Sequence, residues 1–354
     1  MKKFFINPSN IDNGTIREVA LLLQQGKIAA LPTETVYGLA GIADKGLVRD
    51  RLSRIKNRPA DKPFTHALSD VELVFDKYFK TLPPFGFKLI EMFWPGPLTI
   101  IYYTPDDNKV GVRVPSHPVT NLILRNLQEA VYLPSANISG EKEIVSASEI
   151  ESVFKDNIDV IVDSGPFGSA KSSTVVDLTY NPFKVLREGE ITERNLIDLF
   201  VRKRIIFVCT GNSCRSPMAE AILRKYLYEI SPQLSQRYEV ISRGVYALGG
   251  RTISTSASDI LRNNEGIDTD GFVSKQLTEF DILSADLIFT MEHGQLRHIL
   301  TLVPTAEGRV FDLSKFLFNE QSEDIPDPIG KGYSDYERTY GIIRNAITEL
   351  IEWL

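Results

Sequence analysis

The sequence predicts an α/β protein made of two successive sheet units, and three observations carry that reading. Short apolar runs, such as residues 28–31, 160–163 and 205–208, alternate with stretches of helical period along the whole chain. The 354 residues exceed what a single core usually holds. Midway, residues 204–221 read as strand, tight polar loop and helix.

Taken in order, Ile16, Val19, Leu22 and Leu23 share one helical face, which closes at Gly26, a good C-cap residue. A short strand over 28–31 runs into Pro-Thr-Glu-Thr-Val-Tyr-Gly-Leu-Ala (32–40), a segment rich in side-chain oxygens. A helix over 45–56 then meets Pro59 and Pro63, which stop it and leave Lys56, Arg58 and Lys62 clustered on a turn. Three cations so close invite an anion; a solvated basic turn is the plainer alternative.

Trp-Pro-Gly-Pro (94–97) breaks the chain before a strand over 98–103. The next strand, from Val110, carries Arg113 among apolar neighbours, where a charge needs a partner: a structural ion pair or a carboxylate ligand. Ser-Ala-Asn-Ile-Ser-Gly (135–140) has the small, hydrogen-bonding residues of a ligand loop. Strands over 160–163 and 174–178 follow, the latter preceded by Gly-Ser-Ala-Lys-Ser-Ser-Thr, and Lys184 to Gly189 sets Arg187 on or beside a last strand. A capped helix over 191–200 and a short polar joint, Val-Arg-Lys-Arg, lead to the second part without a long tether. This gives domain boundaries of 1–200 and 201–354.

The second part opens on Val-Cys-Thr-Gly-Asn-Ser-Cys-Arg-Ser-Pro (208–217). Ser216 followed by Pro217 fits an N-cap with proline at the first helical position, so the loop closes at a helix N-terminus. Free N–H groups and the positive end of the helix dipole make such a loop a cradle for a dianion. A thiolate is favoured by the same donors, and Arg215 can hold two phosphoryl oxygens in a bidentate fork. Cys209 is thus a candidate nucleophile toward phosphorus. The alternatives are a small buried hydrophobe, a metal ligand or a disulfide; with two Cys and four His in the chain, and no His near the loop, a zinc site lacks ligands.

Strands over 238–242, 285–291 and 309–312 alternate with helices over 254–264 and 334–350, the pattern of a small doubly wound parallel sheet. Ile-Pro-Asp-Pro-Ile-Gly (325–330) offers Asp327 as a proton donor to a leaving group, with Asp324 as its rival and a proline-stiffened acidic loop as the plain reading.

Up to Phe200 there are 23 Lys+Arg against 25 Asp+Glu, and 17 against 21 beyond it. Neither part is basic, so no stable nucleic-acid binding is expected. The N-terminus lacks a signal-peptide core and no segment reaches membrane-spanning length, so no membrane association and a cytoplasmic location are expected. Two cysteines in so long a chain agree with a reducing compartment.

Val-Cys-Thr-Gly-Asn-Ser-Cys-Arg-Ser-Pro-Met-Ala-Glu closely resembles the phosphate loop of the low-molecular-weight protein tyrosine phosphatases and their phosphoarginine-phosphatase relatives. That resemblance implies Cys209 as nucleophile, Arg215 as phosphate ligand and Asp327 as general acid acting on a phosphorylated protein, without a metal or other cofactor. Thr210, Gly211, Asn212, Ser213 and Cys214 form the loop, Asn212 shapes it, and Ser216 hydrogen-bonds the thiolate. Cys214 is a candidate reversible disulfide partner for Cys209 under oxidant, or packing beneath the loop. Arg243, where the family has a small residue, and Glu292, where aspartate is common, depart from the pattern. Ser213 and Ile329 stand where tyrosine-specific members tend to carry an aliphatic and an aromatic residue, and the polar Ser213 looks nearer to the phosphoarginine branch.

In the first part, Pro-Thr-Glu-Thr-Val-Tyr-Gly, the Lys-x-Arg of Lys56 and Arg58, Trp-Pro-Gly-Pro-Leu-Thr, Val-Arg-Val-Pro-Ser-His-Pro, the Ser-x-Asn of Ser135 and Asn137, Ser-Ser-Thr-Val-Val-Asp and Leu-Arg-Glu-Gly resemble the YrdC-like threonylcarbamoyl-AMP synthases. The resemblance implies a twisted mixed-sheet α/β domain that makes L-threonylcarbamoyladenylate from L-threonine, bicarbonate and ATP, with Mg2+ on the nucleotide. It also implies partner enzymes of tRNA threonylcarbamoylation. Thr33, Arg113 and Ser173 match threonine-contacting positions; Lys56, Arg58, Ser135, Asn137 and Arg187 match ATP-contacting ones. The further C-terminal domain of longer members is replaced here by the phosphatase-like part. The expectation is a bifunctional enzyme; the rivals are an RNA-binding module joined to a non-catalytic phosphoamino-acid sensor, or one active domain beside a scaffold.

Overall fold

Asp12 starts the first helix, Asn13–Gln24, by accepting from the backbone N–H groups of Gly14 and Thr15. Ile16, Val19, Ala20 and Leu23 recur at helical spacing and are all buried, and Gly26, at φ +81°, turns the chain away. The computed structural model describes residues 1–43, 46–59, 62–165, 171–317 and 324–354. It divides into two compact units, Met1–Ile197 and Asp198–Leu354.

The first unit is built on a ten-stranded mixed sheet among the described residues. Its site-bearing strands are Leu98–Tyr103 and Lys109–Arg113, paired antiparallel, and Thr174–Asp177, which runs parallel to the former and pairs with Lys184–Arg187. Gly38–Ile42 is a strand the sequence did not announce; its Gly-Leu-Ala-Gly-Ile run lacks alternation because every position is buried. The expected helix over 45–56 is Gly46–Ile55, its first expected residue lying outside the described ones. Residues 168–170 of the Gly-Ser-Ala-Lys motif also lie outside them.

The second unit has four parallel strands in the order Tyr238–Gly244, Lys203–Cys209, Leu287–Thr290, Val310–Asp312. Ile205 to Val208 are wholly buried on the central strand, as a parallel sheet covered on both faces requires. Lys203 and Arg204, expected in a polar joint, belong to this strand, because Arg204 finds internal partners in Glu239 (3.0 Å) and Ser284 (2.7 Å). The expected helix over 254–264 is shorter, Thr255–Ile260, and widens into a π-turn, Leu261–Glu265, before Gly266 at φ +66°. Glu265 is thereby carried into a buried cluster of Lys225, Tyr226 and Tyr340. Among the described residues no helix is long and apolar enough to cross a membrane.

Candidate active sites

In the second unit the central strand delivers Cys209 to the sheet's C-terminal edge, and the chain wraps into a loop before the helix Arg215–Ile230. Ser216 is not the helix N-cap: the cap falls two residues earlier, on Cys214, and the Ser216 hydroxyl turns inward and lies 3.0 Å from the Cys209 sulfur. The Asn212 backbone N–H donates to the same sulfur at 3.2 Å. Asn212 adopts φ +52° and is wholly buried. Its amide nitrogen donates to Ser216 (3.0 Å) and Ser242 (2.9 Å), and its oxygen accepts from the Lys275 N–H (2.8 Å). Beneath the loop, Gly244 leaves no room for a side chain, since a Cβ there would stand 2.7 Å from the Thr210 carbonyl oxygen and 2.8 Å from the Asn212 nitrogen.

Arg215 is buried and donates to Glu292, to the Ile325 carbonyl oxygen and to Asp327. Thr210 receives a hydrogen bond from the Gln295 side chain, whose own oxygen accepts from the N–H groups of Met291 and Glu292. The two acids of the Ile-Pro-Asp-Pro region separate here. Asp327 reaches the guanidinium, whereas Asp324 accepts from the His293 N–H (2.7 Å) at the start of the helix His293–Leu302. Cys214 is buried as a free thiol within 3.2 Å of Ser254 and 3.6 Å of Tyr336. Ser213 and Gly211 complete the loop, the Ser213 carbonyl oxygen accepting from Ser254 (2.8 Å). A sulfur that accepts from a backbone N–H and meets a serine hydroxyl, at a helix start whose Arg215 is paired with a carboxylate, suits in-line attack on a phosphoryl group.

In the first unit a cavity of about 410 Å³ gathers Thr33, Lys56, Arg58, Arg113, Ser135, Ser173 and Arg187 along its walls. Asn137 stands one layer back, accepting from Ser135 (2.6 Å). Lys56 is buried with its ammonium on the carbonyl oxygens of Ser135 and Asn137. Burial first, then the charges of Arg58 and Arg187, lower its pKa from 10.5 to about 8. Arg58 has a buried Nε without a hydrogen-bond partner, a donor aimed at something the protein does not supply. Arg187 is held by the Ser173 carbonyl oxygen (3.0 Å) and hydroxyl (3.1 Å), and that hydroxyl also meets Thr99 (3.1 Å).

Arg113 is pinned by the Gly96 carbonyl oxygen (3.1 Å), Thr35 (3.1 Å) and Glu34 (2.7 Å). Burial pushes the Glu34 carboxyl up, but the charge and hydrogen bond of Arg113 more than offset it and hold it below the usual range. Glu34, Thr35, Thr99, Ser242, Lys275 and Gln295 went unread in the sequence. Glu34, Thr35 and Thr99 sit inside quoted motifs, while the others carry no local signal.

The Sua5/YciO/YrdC family model, described as telomere recombination, matches residues 21–189, and the low molecular weight phosphotyrosine protein phosphatase model matches residues 204–354. The threonylcarbamoyl-AMP synthase of Pyrococcus abyssi is 35% identical over 189 residues, covering 51% of this chain and 55% of that protein. This chain thus spans about half the length of that curated relative. The low molecular weight protein-tyrosine-phosphatase Etp of Escherichia coli is 31% identical over 145 residues, covering 41% of this chain and 90% of Etp. Among solved structures, E. coli YciO aligns with a TM-score of 0.51 at 25% identity, over 55% of this chain and 99% of YciO. The chain is therefore a fusion, a Sua5/YciO/YrdC-type unit followed by a member of the low molecular weight phosphotyrosine protein phosphatase family.

Proposed function

We propose a bifunctional cytoplasmic enzyme with two domains, residues 1–200 and 201–354. The first forms L-threonylcarbamoyladenylate from L-threonine, bicarbonate and ATP, as the name of the Pyrococcus relative suggests, and supplies it to partner enzymes that modify a tRNA adenosine. A threonine carbamate oxygen attacks the α-phosphorus, the bond to the β-phosphoryl oxygen breaks, and diphosphate leaves. Lys56, Arg58 and Arg187 answer the triphosphate, and Arg113 with Thr33 and Ser173 answers the amino acid. Magnesium is expected to arrive on the nucleotide, as part of the substrate.

The second domain removes phosphoryl groups from phosphoproteins. The Cys209 sulfur attacks phosphorus, Asp327 protonates the departing atom, and water then hydrolyses the cysteinyl phosphate. Free, buried thiols at Cys209 and Cys214 suit a reducing compartment. The observation that carries this half is the meeting of Arg215 and Asp327 at the cup that holds Cys209. A two-assay comparison of wild type, Cys209→Ser and Lys56→Ala tests both halves. Each variant is expected to abolish one activity and spare the other; loss of neither, or of both together, defeats the assignment.

Phosphoarginine is the favoured substrate on a narrower observation. Ile329, two residues beyond Asp327, is 60% exposed and offers no aromatic face to a phenol, and Ser213 adds a polar side chain to the loop. Turnover of phosphoarginine above phosphotyrosine peptides is expected, and a strong phosphotyrosine preference ends this reading.

A further inference from the structure

The cations of the first cavity are not equivalent. Arg58 and Arg187 bear on the charge of Lys56, Arg113 and Arg58 bear on that of Arg187, and Glu143 offsets part of the field. They form an anion site with capacity to spare. Arg113 is different, because Glu34 matches it one to one at 2.7 Å, the two side chains being 18% and 10% exposed. The second Glu34 oxygen accepts from the His117 N–H (3.3 Å). The Glu34 charge also bears on the His117 ring, yet burial prevails and lowers its pKa to about 4, so it adds no charge at neutral pH.

Arg113 uses Nε on Gly96 and Nη2 on Glu34 and Thr35, which leaves Nη1 for a ligand. A zwitterion suits this arrangement, since its carboxylate meets the guanidinium while the molecule as a whole carries no net charge. A polyphosphate meets the same guanidinium with a carboxylate behind it and is repelled, and it carries no positive group to compensate. We propose that Glu34 is a specificity-determining residue: by neutralising Arg113 it keeps phosphoryl groups out of the amino-acid end of the cavity. This rests on the synthase reading above. The two ends of the cavity thus differ: at one, Arg113 is matched by Glu34 behind it, and at the other Lys56, Arg58 and Arg187 are offset only in part by Glu143.

The test is threonine-dependent diphosphate release by the full chain, with inorganic tripolyphosphate as probe. In the wild type, tripolyphosphate is expected to compete with ATP and leave the KM for threonine unmoved. In Glu34→Gln it is expected to compete with both, raising the apparent KM for threonine about tenfold with kcat at saturating threonine retained. Glu34→Asp is expected to restore the wild-type pattern. Because Glu34 also holds Arg113, the KM for threonine without the probe is expected to rise in Glu34→Gln as well; the inference is read from the probe, and an inhibition pattern unchanged from the wild type, which is what a merely structural role gives, overturns it. If Glu34→Gln shows no turnover, calorimetric titration of threonine decides: binding lost only with tripolyphosphate supports it, while binding indifferent to the probe, or absent without it, overturns it. A wild type without threonine-dependent release defeats the synthase reading itself, and is seen before any variant is made.

Discussion

Nη2 of Arg215 donates to Oδ2 of Asp327 at 2.5 Å, so the expected phosphate ligand and the expected proton donor hold each other. In the proposed reaction a phosphoryl dianion would compete for the same guanidinium edge and free Oδ2 for proton transfer. The other oxygen, Oδ1, keeps the loop in shape by accepting from the Ile329 N–H (3.1 Å).

Asp327→Ala is expected to lower kcat by about 10²–10³-fold on substrates with a poor leaving group, and by much less on an aryl phosphate whose phenol departs unaided. Steady-state kinetics across a leaving-group series checks this. An equal loss for every leaving group would assign Asp327 to holding Arg215 rather than to proton transfer.

Asn212→Ala removes three hydrogen bonds from a buried site and leaves alanine at φ +52°. The expected cost is about 2–4 kcal/mol in the unfolding of the second unit, from unpaired polar partners together with left-handed strain. Asn212→Gly relieves the strain alone and is expected to recover the smaller part. Denaturant unfolding of the three proteins, with phosphatase kcat/KM measured in parallel, separates the terms.

The difference between Asn212 and its partners shows how far the sequence could be read. Cys209, Asn212, Arg215 and Ser216 lie in one short run, so their spacing announces a loop at a helix start. Ser242, Lys275 and Gln295 reach that loop from remote elements, and nothing local to them signals the contact. Ser216 was misread for a related reason: serine before proline looks like an N-cap until the sulfur competes for its hydroxyl. In the first unit the cations were legible as cations, but the pairing of Arg113 with Glu34 depends on strand register and on where the Trp-Pro-Gly-Pro turn sets the Gly96 carbonyl.

Glu265 is 8% exposed and accepts from Lys225 (2.7 Å), Tyr226 (3.1 Å), Tyr340 (2.5 Å) and Arg344 (3.3 Å). Burial raises its pKa, but the bonds from Lys225, Tyr340 and Tyr226 and the Lys225 charge prevail and hold it below 4.5. A carboxylate depressed in the folded state contributes stability that is fully present above its unfolded pKa and is lost as pH falls through the folded one. Glu265→Ala is therefore expected to destabilise the second unit at neutral pH by about 3–5 kcal/mol, since the cations and hydroxyls lose their shared acceptor. The deficit relative to wild type should shrink in acid, and a pH series of urea melts measures it.

Lys56 gives the first unit a pH dependence of opposite sense in binding and in stability. Folded, its ammonium gives up its proton near pH 8, against 10.5 unfolded, because it is buried beside Arg58 and Arg187. Only the charged form answers a triphosphate, so kcat/KM for ATP in the free enzyme is expected to fall as pH rises through about 8. Between the two values the unfolded chain binds more protons than the folded one, so the same residue makes stability rise with pH across that window. Lys56→Arg keeps the charge and is expected to remove the alkaline fall in kcat/KM, while its bulkier fork, in a site shaped for an ammonium on two carbonyl oxygens, weakens ATP binding at pH 7. An alkaline fall unchanged in Lys56→Arg would assign the titration to another group.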